Sequence, residues 1–237
     1  MQPIRPRAYR QIVVLTGAGV SAPSGLPTYR GPGGLWQDKR AEELASAQSA
    51  ASRLDEVWSL FGPMRARVLQ AEPNPAHLAL ARFQQRAPST VLLTQNVDGL
   101  HQRAGSEPVV ELHGSLLRSR CTGCAEVVRD EVPHAKAPPC PKCGQPLRPD
   151  VTLFEEPLDV DVEWQAKKAL RECDLFLAVG TSANVAPASS FVRWADVNGA
   201  RTILVNLEPL AAPNPAYRET YFGPAEQLLP QLLADPG

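Results

Sequence analysis

The sequence predicts an α/β protein with a parallel sheet, helices on both faces of that sheet, and a small inserted four-cysteine zinc module. Short apolar runs, which are typical of buried parallel strands, occupy residues 11–15, 90–93, 175–179 and 202–205. Enough chain separates each run from the next for a crossover helix. Residues 120–148 instead contain Cys, Pro, Lys and Gly with few large apolar residues, so this segment needs a metal or another crosslink to fold.

The first apolar run leads directly into a glycine-rich turn. Glycines let a backbone approach a ligand closely, and a helix beginning there would offer N–H groups to a pyrophosphate, which predicts a Rossmann-like dinucleotide site. The candidate residues are Gly17, Ala18, Gly19, Ser21 and Gly25. Because the spacing differs from G-x-G-x-x-G, a plain tight connection is the alternative.

The loop after this turn combines glycines with aromatic and basic residues. Its candidate residues are Thr28, Tyr29, Arg30 and Trp36. This composition is typical of a loop that closes over a cofactor. The alternative is a surface loop in which the arginine and the tyrosine are incidental.

Polar residues follow the later apolar runs at the points where the strands end. Open α/β sheets bind ligands at the carboxyl ends of their strands, so we expect these residues to face one crevice. They are Gln95, Asn96 and Asp98 after the second run, Gly180, Thr181 and Ser182 after the third, and Asn206 and Glu208 after the fourth. The alternative for Asn96 and Asp98 is that they cap a helix. His113 is a further candidate because it lies at the junction with the cysteine-rich segment.

Two C-x-x-C pairs predict a structural zinc site. Fifteen residues separate the pair Cys121 and Cys124 from the pair Cys140 and Cys143. Each pair presents two thiolates from one tight turn, and together they complete a tetrahedron with no open position for water or substrate. Four ordinary buried cysteines are the alternative, but this segment has little apolar surface in which to bury them.

The chain divides into three parts. Residues 1–113 and 151–237 are expected to form the two parts of the Rossmann-like domain, and residues 114–150 the zinc module. Within a helical excursion at about 36–75, residues 41–70 are rich in helix formers and predict two or three helices, broken near Gly62 and Pro63. Residues 225–234 predict a short amphipathic helix at the C-terminus.

The charge balance argues against polyanionic partners. The 237 residues carry a formal net charge of -1, from 24 Lys and Arg against 25 Asp and Glu, which gives no electrostatic reason to bind nucleic acid or an anionic membrane. No segment approaches the roughly 18 apolar residues that span a bilayer, and the N-terminal segment lacks signal-peptide features. We therefore expect a cytoplasmic monomer.

The ordered motifs are similar to those of the sirtuin family, in its bacterial type and nearest the desuccinylase and deacetylase branch. They are GAGVSAPSGLPTYRG, TQNVDGLH, ELHGS, the paired C-x-x-C, GTS and VNLE, and they cover nearly the whole chain. The resemblance implies an NAD-dependent protein-lysine deacylase, with acetyl as the first acyl group and succinyl or malonyl as further ones. NAD would be consumed as a cosubstrate, yielding nicotinamide and 2′-O-acyl-ADP-ribose, and an acylated lysine peptide would enter the cleft between the domains.

The resemblance also implies roles for individual residues. Residues 17–36 would hold the pyrophosphate and close over the nicotinamide ribose, with Tyr29 where the family more often has Phe. Gln95, Asn96 and Asp98 would bind the nicotinamide ribose and carboxamide. Residues 180–182 with Asn206 and Glu208 would hold the adenosine side, and Ala225 the adenine edge. His113 would be the general base, a role that suits the ordinary pKa of imidazole.

Two departures from the family pattern affect the acyl-peptide side. The Tyr-x-x-Arg pair that holds an acyl carboxylate in the desuccinylase branch aligns with Gly62 and Arg65, so Arg65 is the candidate for the acyl pocket. We expect acetyl to be preferred, with weaker succinyl activity that depends on Arg65. The alternative is that Arg65 is a solvated helix residue. Residues 151–156 are expected to form the edge that pairs with the peptide, and they contain Phe154-Glu155-Glu156 where many relatives carry Phe-Gly-Glu.

Three other functions compete with this interpretation. A dehydrogenase would use the same glycine-rich turn but should show an acidic residue about 20 positions later, at the end of a second strand. A zinc-ribbon module that binds nucleic acid would explain the cysteines, yet residues 120–148 have only a modest basic excess and no interleaved aromatic residues. Mono-ADP-ribosyl transfer is the nearest alternative, because it shares NAD cleavage and differs in the acceptor.

Overall fold

A computed structural model of the chain describes residues 3–29 and 34–234. The strands are β1 (Ile12–Thr16), β2 (Thr90–Thr94), β3 (Val109–Glu111), β4 (Gly114–Cys121), β5 (Val127–Arg129), β6 (Leu147–Val151), β7 (Leu175–Val179), β8 (Arg201–Asn206) and β9 (Glu219–Phe222). The α-helices are α1 (Lys39–Leu44), α2 (Ala47–Ser52), α3 (Leu54–Gln70), α4 (Pro75–Arg86), α5 (Leu100–Arg103), α6 (Val160–Arg171), α7 (Phe191–Val197) and α8 (Ala225–Leu232). In the described part of the chain, no helix is both long and apolar enough to cross a membrane.

One parallel sheet has the strand order β3–β2–β1–β7–β8–β9. The order reverses at β1, because β2 pairs with one of its edges and β7 with the other, so that Val14 lies opposite both Leu92 and Leu177. Strands β1 and β7 are buried along their whole length, which explains their uninterrupted apolar sequences. The Rossmann-like sheet predicted from the sequence is confirmed, and its topological switch point lies between β1 and β7.

Helices cover both faces of this sheet. On one face Val14 belongs to a buried cluster with Phe83 of α4 and Leu229 of α8. On the other face Phe176 belongs to a cluster with Phe191 of α7 and with residues of α6. Full burial of such a side chain contributes about 1.5–3 kcal/mol, so the sheet is stabilised from both sides.

A second, antiparallel sheet has the order β5–β4–β6 and carries the two cysteine pairs. Helix α3 packs against it, and Trp58 Nε1 donates to the Leu147 carbonyl oxygen at 2.8 Å. The buried apolar cluster of this sheet contains Cys121, Cys140 and Leu147, with Val128 packed against it. So small a core explains why a metal site is needed here.

Helix α3 runs without interruption through Gly62 and Pro63, so the predicted break at this point is wrong. A proline inside a helix removes one backbone hydrogen bond and costs about 3 kcal/mol. Pro63 lies on the exposed side of the helix, whereas Trp58 and Phe61 are buried on the other side. Burial of that apolar face outweighs the cost of the proline.

The connection after β1 also differs from the prediction. In place of an α-helix, two short 3-10 turns follow the strand, at Ala18–Val20 and Ala22–Ser24. Pro23 lies in the second turn, and Gly25 ends it with a φ of 84°. A left-handed glycine stops helical continuation, so the chain leaves the sheet as a loop.

Other differences concern strands at the edges of the sheets. The apolar pattern does not predict β3 and β9, which are half-exposed and form because they pair with β2 and β8. The predicted peptide-pairing edge at residues 151–156 is strand only at Val151, where β6 ends. Beyond that point Phe154 forms an isolated parallel bridge with Ser46, so a neighbouring segment already pairs with this stretch.

Candidate active site

The glycine-rich turn after β1 lies directly against the turn after β7. A Cβ atom on Gly17 would stand 2.7 Å from the Gly180 carbonyl oxygen, and a Cβ atom on Gly19 would stand 2.8 Å from Gly180 Cα. The Gly19 N–H also donates to the Gly180 carbonyl oxygen at 2.9 Å. Any side chain would separate the two backbones, so the glycines are required for this contact.

Both turns line a large cavity at the switch point of the sheet, with a volume of about 1460 Å³. Most residues that the sequence predicts for the cofactor line it, and His113 lines the same cavity. The cofactor candidates in the lining are Gly17, Ala18, Gly19, Thr28, Tyr29, Trp36, Gln95, Asn96, Gly180, Thr181, Ser182, Asn206, Glu208 and Ala225. No lysine or arginine occurs among the described lining residues, so an anion bound to them would depend on uncharged N–H and O–H donors.

Three further cofactor candidates, Ser21, Gly25 and Asp98, lie outside this lining. Ser21 and Asp98 line a small adjoining cavity of about 30 Å³, which Asn96 also lines. A Cβ atom on Gly25 would meet no other atom within 4 Å, so close packing does not require a glycine there. Its φ of 84° does, because that left-handed conformation ends the turn. Arg30 lies outside the residues that the structure describes.

Hydrogen bonds join three strand ends at the edge of the cavity. Gln95 Nε2 donates to Thr181 Oγ1 at 3.1 Å. The Thr181 N–H donates to Asn206 Oδ1 at 3.0 Å, and Asn206 Nδ2 returns a bond to the Thr181 carbonyl oxygen at 2.9 Å. The ends of β2, β7 and β8 are therefore fixed relative to one another, as the strand-end pattern in the sequence predicts.

A backbone carbonyl oxygen orients the His113 ring. Its Nδ1 lies 3.0 Å from the Gln95 carbonyl oxygen, which can only accept a hydrogen bond, so Nδ1 carries the proton of the neutral ring. Nε2 then holds the basic lone pair, in a ring that lines the cavity. Burial lowers the pKa of His113, and the bond to the Gln95 carbonyl opposes that shift. The ring can therefore act as a base at neutral pH.

Asn96 presents a buried acceptor that no protein group satisfies. Its Nδ2 donates to the Gly17 carbonyl oxygen and to Ser21 Oγ, each at 3.1 Å. Its Oδ1 is buried and has no hydrogen-bond partner among the described residues. A buried unpaired oxygen costs about 1–3 kcal/mol, so a ligand with an N–H or O–H group would gain by binding there.

A buried hydrogen-bond chain supports Asp98 beneath the cavity. Ser21 Oγ donates to Asp98 Oδ2 at 2.7 Å, and His77 Nε2 lies 3.4 Å from the same Ser21 Oγ. Burial raises the pKa of Asp98 and lowers that of His77 to about 4. Asp98 Oδ1 also accepts from the Leu100 N–H at 2.9 Å, which forms a turn just before α5, but the N-cap residue of that helix is Gly99. Sequence reasoning missed His77, and its position opposite Ser21 becomes visible only when α4 packs on the sheet.

One wall of the cavity is apolar. Phe61 of α3 lines it together with Val151 and Leu153, and all three belong to one buried cluster. The Trp36 ring stacks on Tyr29 with centroids 5.4 Å apart and meets Phe154 edge-on at 5.2 Å. This wall suits an aliphatic chain rather than a charged group.

The position of Arg65 corrects the prediction for the acyl pocket. Its side chain is fully buried, its Nε donates to the Leu116 carbonyl oxygen at 2.6 Å, and Nη1 pairs with Asp130 Oδ2 at 2.8 Å. Arg65 does not line the large cavity. It lies one helical turn beyond Phe61, where α3 packs against the second sheet, so Arg65 is neither an acyl ligand nor a solvated residue.

Loops that the sequence analysis did not name also line the cavity. They comprise residues 157–158, 184–187 and 209–211, whereas Glu155 and Glu156 of the same lining belong to the predicted peptide-pairing edge. The loops at 184–187 and 209–211 follow β7 and β8, so a rule that examines every strand end of the parallel sheet would have found them. Their sequences contain no cluster of reactive groups, which is why the motif search missed them.

The four cysteines of the two C-x-x-C pairs form a metal site. Their sulfur atoms lie within 4.8 Å of one another, with 3.4 Å between Cys121 and Cys143 and 3.8 Å between Cys124 and Cys140. Zn–S bonds of about 2.3 Å place the sulfurs of a tetrahedron roughly 3.8 Å apart. The cysteines are therefore positioned to bind one metal ion, and their number and geometry are those of a structural zinc site.

The fold and the cavity define a dinucleotide-binding α/β protein with a histidine in the cleft and an inserted four-cysteine module. The Sir2 family model matches residues 17–187. "NAD-dependent protein deacylase 2" of Pyrobaculum aerophilum is 44% identical over 228 residues, which cover 95% of this chain and 91% of the relative. "NAD-dependent protein deacylase" of Thermus thermophilus is 46% identical over 206 residues, which cover 84% of this chain and 80% of the relative.

Solved structures agree with these matches. A Sir2 homologue in complex with NAD has a TM-score of 0.88 at 39% identity and covers 96% of this chain and 90% of its own. A Sir2 homologue mutant in complex with 2′-O-acetyl-ADP-ribose has a TM-score of 0.89 at 39% identity, with coverage of 96% and 92%. The chain belongs to the Sir2 family, as its ordered motifs indicate.

Proposed function

We propose that this chain is an NAD-dependent protein-lysine deacylase that acts first on acetyl-lysine and releases nicotinamide and 2′-O-acyl-ADP-ribose. The observation that carries this proposal is the cavity at the switch point of the sheet, which is lined both by His113, whose Nε2 is basic, and by Asn96, whose Oδ1 is unpaired among the described residues. The names of the relatives and the ligands in the similar structures support the same activity.

The polar side of the cavity fits NAD. Glycines at positions 17, 19 and 180 bring the two turns together, and their own N–H groups already donate to carbonyl oxygens of the protein. A pyrophosphate would therefore use other uncharged donors of the lining, such as the Ala18 N–H and the Ser182 hydroxyl, without needing a cation. Asn96 Oδ1 would accept a bond from the carboxamide or from a ribose hydroxyl. Glu208 and Ala225 line the part of the cavity assigned to the adenosine.

The residues of this chain would then perform proton transfer and positioning. Bound NAD supplies an electrophilic ribose carbon and nicotinamide as the leaving group. His113 Nε2 would take a proton from a ribose hydroxyl, which is possible at neutral pH because its lowered pKa keeps the ring unprotonated. The stacked Tyr29 and Trp36 would exclude water from one side of the site.

The apolar wall favours neutral acyl groups. Phe61, Val151 and Leu153 offer no hydrogen bond to a carboxylate, and no lysine or arginine occurs among the described lining residues. A carboxylate without a paired cation would lose solvation on entering this part of the cavity. We therefore propose that acetyl-lysine is preferred to succinyl-lysine, and that Arg65 does not contribute to the choice.

A cytoplasmic location suits the metal site. The four cysteines bind zinc as thiolates, and a reducing compartment keeps them available for that. Partners would be proteins or peptides that carry acylated lysines.

Product analysis tests the activity. The protein is incubated with NAD and an acetyl-lysine peptide, and the products are identified by mass spectrometry. We expect free lysine peptide, nicotinamide and 2′-O-acetyl-ADP-ribose, with turnover reduced roughly 10²-fold or more in His113→Ala because the base is lost. ADP-ribose attached to a protein, without deacylated peptide, would instead establish mono-ADP-ribosyl transfer.

The acyl preference has its own prediction. The kcat/KM for one peptide carrying acetyl-lysine should exceed that for the same peptide carrying succinyl-lysine by about tenfold or more, because the succinyl carboxylate has no cation to pair with. The measurement compares the two peptides at saturating NAD. A succinyl preference would show that a cation outside the described lining reaches the acyl group.

A further inference from the structure

We propose that Glu155 selects substrates that carry a basic residue next to the acylated lysine. The inference rests on the proposed deacylase function, and it concerns a residue at which the chain departs from the family pattern. Three observations support it: the position of Glu155 at the cavity, the fixed residues on either side of it, and its lack of an ion-pair partner among the described residues.

The side chain lies where a bound peptide would pass. Glu155 lines the large cavity and is exposed, so it stands at the rim rather than inside the site. The loop that contains it begins after β6, and its Thr152 N–H donates to the His113 carbonyl oxygen at 2.9 Å. The loop that carries Glu155 is thus hydrogen-bonded to the backbone of His113, and both residues line the same cavity. We infer that the residues next to a substrate lysine at His113 would pass this rim.

The residues on either side of Glu155 are held firmly. The Phe154 N–H donates to the Ala45 carbonyl oxygen at 2.8 Å, and the Phe154 carbonyl oxygen accepts from the Ala47 N–H at 3.1 Å. On the other side Glu156 accepts from Arg148 Nη2 at 2.9 Å and from the Leu153 N–H at 2.9 Å. Because both neighbours are anchored, the position of Glu155 is preorganised for a partner.

Glu155 differs in its charge environment from Glu156 and Glu163, the two cavity-lining glutamates that follow it most closely along the chain. Glu156 is neutralised by Arg148, and Glu163 pairs with Lys167 at 2.7 Å. Glu155 forms no hydrogen bond or ion pair within the described residues. With no cation among the described residues of the cavity lining, its negative charge is available to a bound molecule.

The chemistry of the two substrates indicates which molecule that is. The pyrophosphate of NAD is anionic and would be repelled by a carboxylate. The acylated lysine is an uncharged amide, so it cannot be the partner either. The nicotinamide ring of NAD is cationic, but its proposed contacts are Gln95 and Asn96, whereas Glu155 is exposed at the rim. The cation left for Glu155 is a lysine or arginine that flanks the acylated residue in the peptide or protein substrate.

The test uses a set of acetyl-lysine peptides that differ at one position. Arginine, alanine or glutamate is placed at each of the two positions before and after the acetyl-lysine, and kcat/KM is measured at saturating NAD. We expect arginine to be favoured over alanine by about two- to fivefold at one position at least, with glutamate disfavoured, since an exposed ion pair has a modest effect. Raising the salt concentration from about 0.05 M to about 0.5 M should reduce this ratio.

Three variants separate a charge effect from a structural one. Glu155→Gln and Glu155→Gly should both lose the arginine-to-alanine ratio, whereas Glu163→Gln should keep it because that carboxylate is already paired. Glu155 has a φ of 72°, which strains any residue with a Cβ atom, so Glu155→Gly should melt at the same or a higher temperature than the parent. Lost selectivity without lost stability supports a role in recognition.

Two results would overturn the inference. An unchanged arginine preference in Glu155→Gln, or no preference in the parent enzyme while the alanine peptide is still deacylated, would contradict it and leave the deacylase function intact. A complete absence of NAD-dependent turnover with every peptide would remove the proposed function, and this inference with it.

Discussion

At the scale of single residues, burial determines which histidine can act as the base. His77 and His101 are enclosed below the cavity, their rings are 4.8 Å apart, and burial lowers the pKa of both. His113 also has a lowered pKa, but its ring reaches the cavity. Among these three rings, only that of His113 combines an unprotonated state at neutral pH with access to a bound ligand.

The pH dependence of turnover follows from this lowered pKa. The base must be unprotonated, so activity is lost as pH falls through the pKa of His113. Since burial moves that pKa below its usual 6.5, we expect the acid limb of kcat/KM to have its midpoint below pH 6.5. The measurement is kcat/KM against pH for an acetyl-lysine peptide. A midpoint above about 7 would contradict a neutral His113 in the free enzyme.

Arg65 provides a second prediction at this scale. Its guanidinium joins α3 to Asp130 and to backbone carbonyl oxygens of the second sheet. Arg65→Met would remove the guanidinium from half-buried Asp130 and from the Leu116 and Arg118 carbonyl oxygens, so we expect the free energy of unfolding to fall by roughly 3 kcal/mol or more. Arg67→Met, at an exposed position on the same helix, should change it by less than about 0.5 kcal/mol. Denaturant unfolding measures the free energy of unfolding of both variants. An equal loss in Arg65→Met and Arg67→Met would argue against the structural role of Arg65.

At the scale of elements, α3 connects the cavity to the zinc module. Phe61 lines the cavity, while Gly62 lies against the segment that leads into the second cysteine pair. A Cβ atom on Gly62 would stand only 2.1 Å from the His134 carbonyl oxygen. Gly62 is therefore required by packing between the helix and the module, rather than by a break in the helix.

Gly62→Ala should have an effect opposite to that expected from helix propensity. Alanine favours a helix over glycine by about 1 kcal/mol, so propensity alone predicts stabilisation. The clash with the His134 backbone predicts destabilisation of about 1–3 kcal/mol instead. Thermal or denaturant unfolding decides the sign, with Ser59→Ala at an exposed position of α3 as the control. A stabilised Gly62→Ala variant would show that the module moves away at little cost.

At the scale of the whole molecule, the zinc module depends on its metal and supports the active site. Its own apolar cluster is small, so the metal bonds supply much of its folding free energy. Strand β4 begins at Gly114, directly after His113. Strand β6 ends at Val151, which lines the cavity. Loss of the module's structure should therefore disturb catalysis, although the zinc has no open coordination position for chemistry.

Removal of the metal tests this dependence. Cys140→Ser, or treatment with a strong chelator, should lower the metal content and the melting temperature together, because metal binding and folding are coupled. Cys173→Ser should keep the metal, since Cys173 is buried in the main core and is not part of the four-cysteine group. Metal analysis and thermal unfolding are the measurements. A zinc-free protein with an unchanged melting temperature would contradict a structural metal.

Much of the fold could be predicted because its signals are local. The runs that became β1 and β7 are apolar along their whole length, which reflects burial on both faces of a parallel sheet. The cysteine spacing predicted the metal site for the same reason, since each C-x-x-C pair forms within one turn. Edge strands such as β9 carry no such signal, because pairing with β8 rather than burial holds them.

The sequence by itself determined the sheet, the metal ligands and the set of polar residues at the strand ends, because spacing and strand polarity bring these together. Only the tertiary structure decided that Arg65 contacts the second sheet and that Phe61 lines the cavity. The two residues lie one turn apart on the same buried face of α3, so helical periodicity cannot distinguish their surroundings, and only the packing of the helix does so. The left-handed backbone at Glu155 likewise depends on the contacts that anchor Phe154 and Glu156, some of which come from distant parts of the chain.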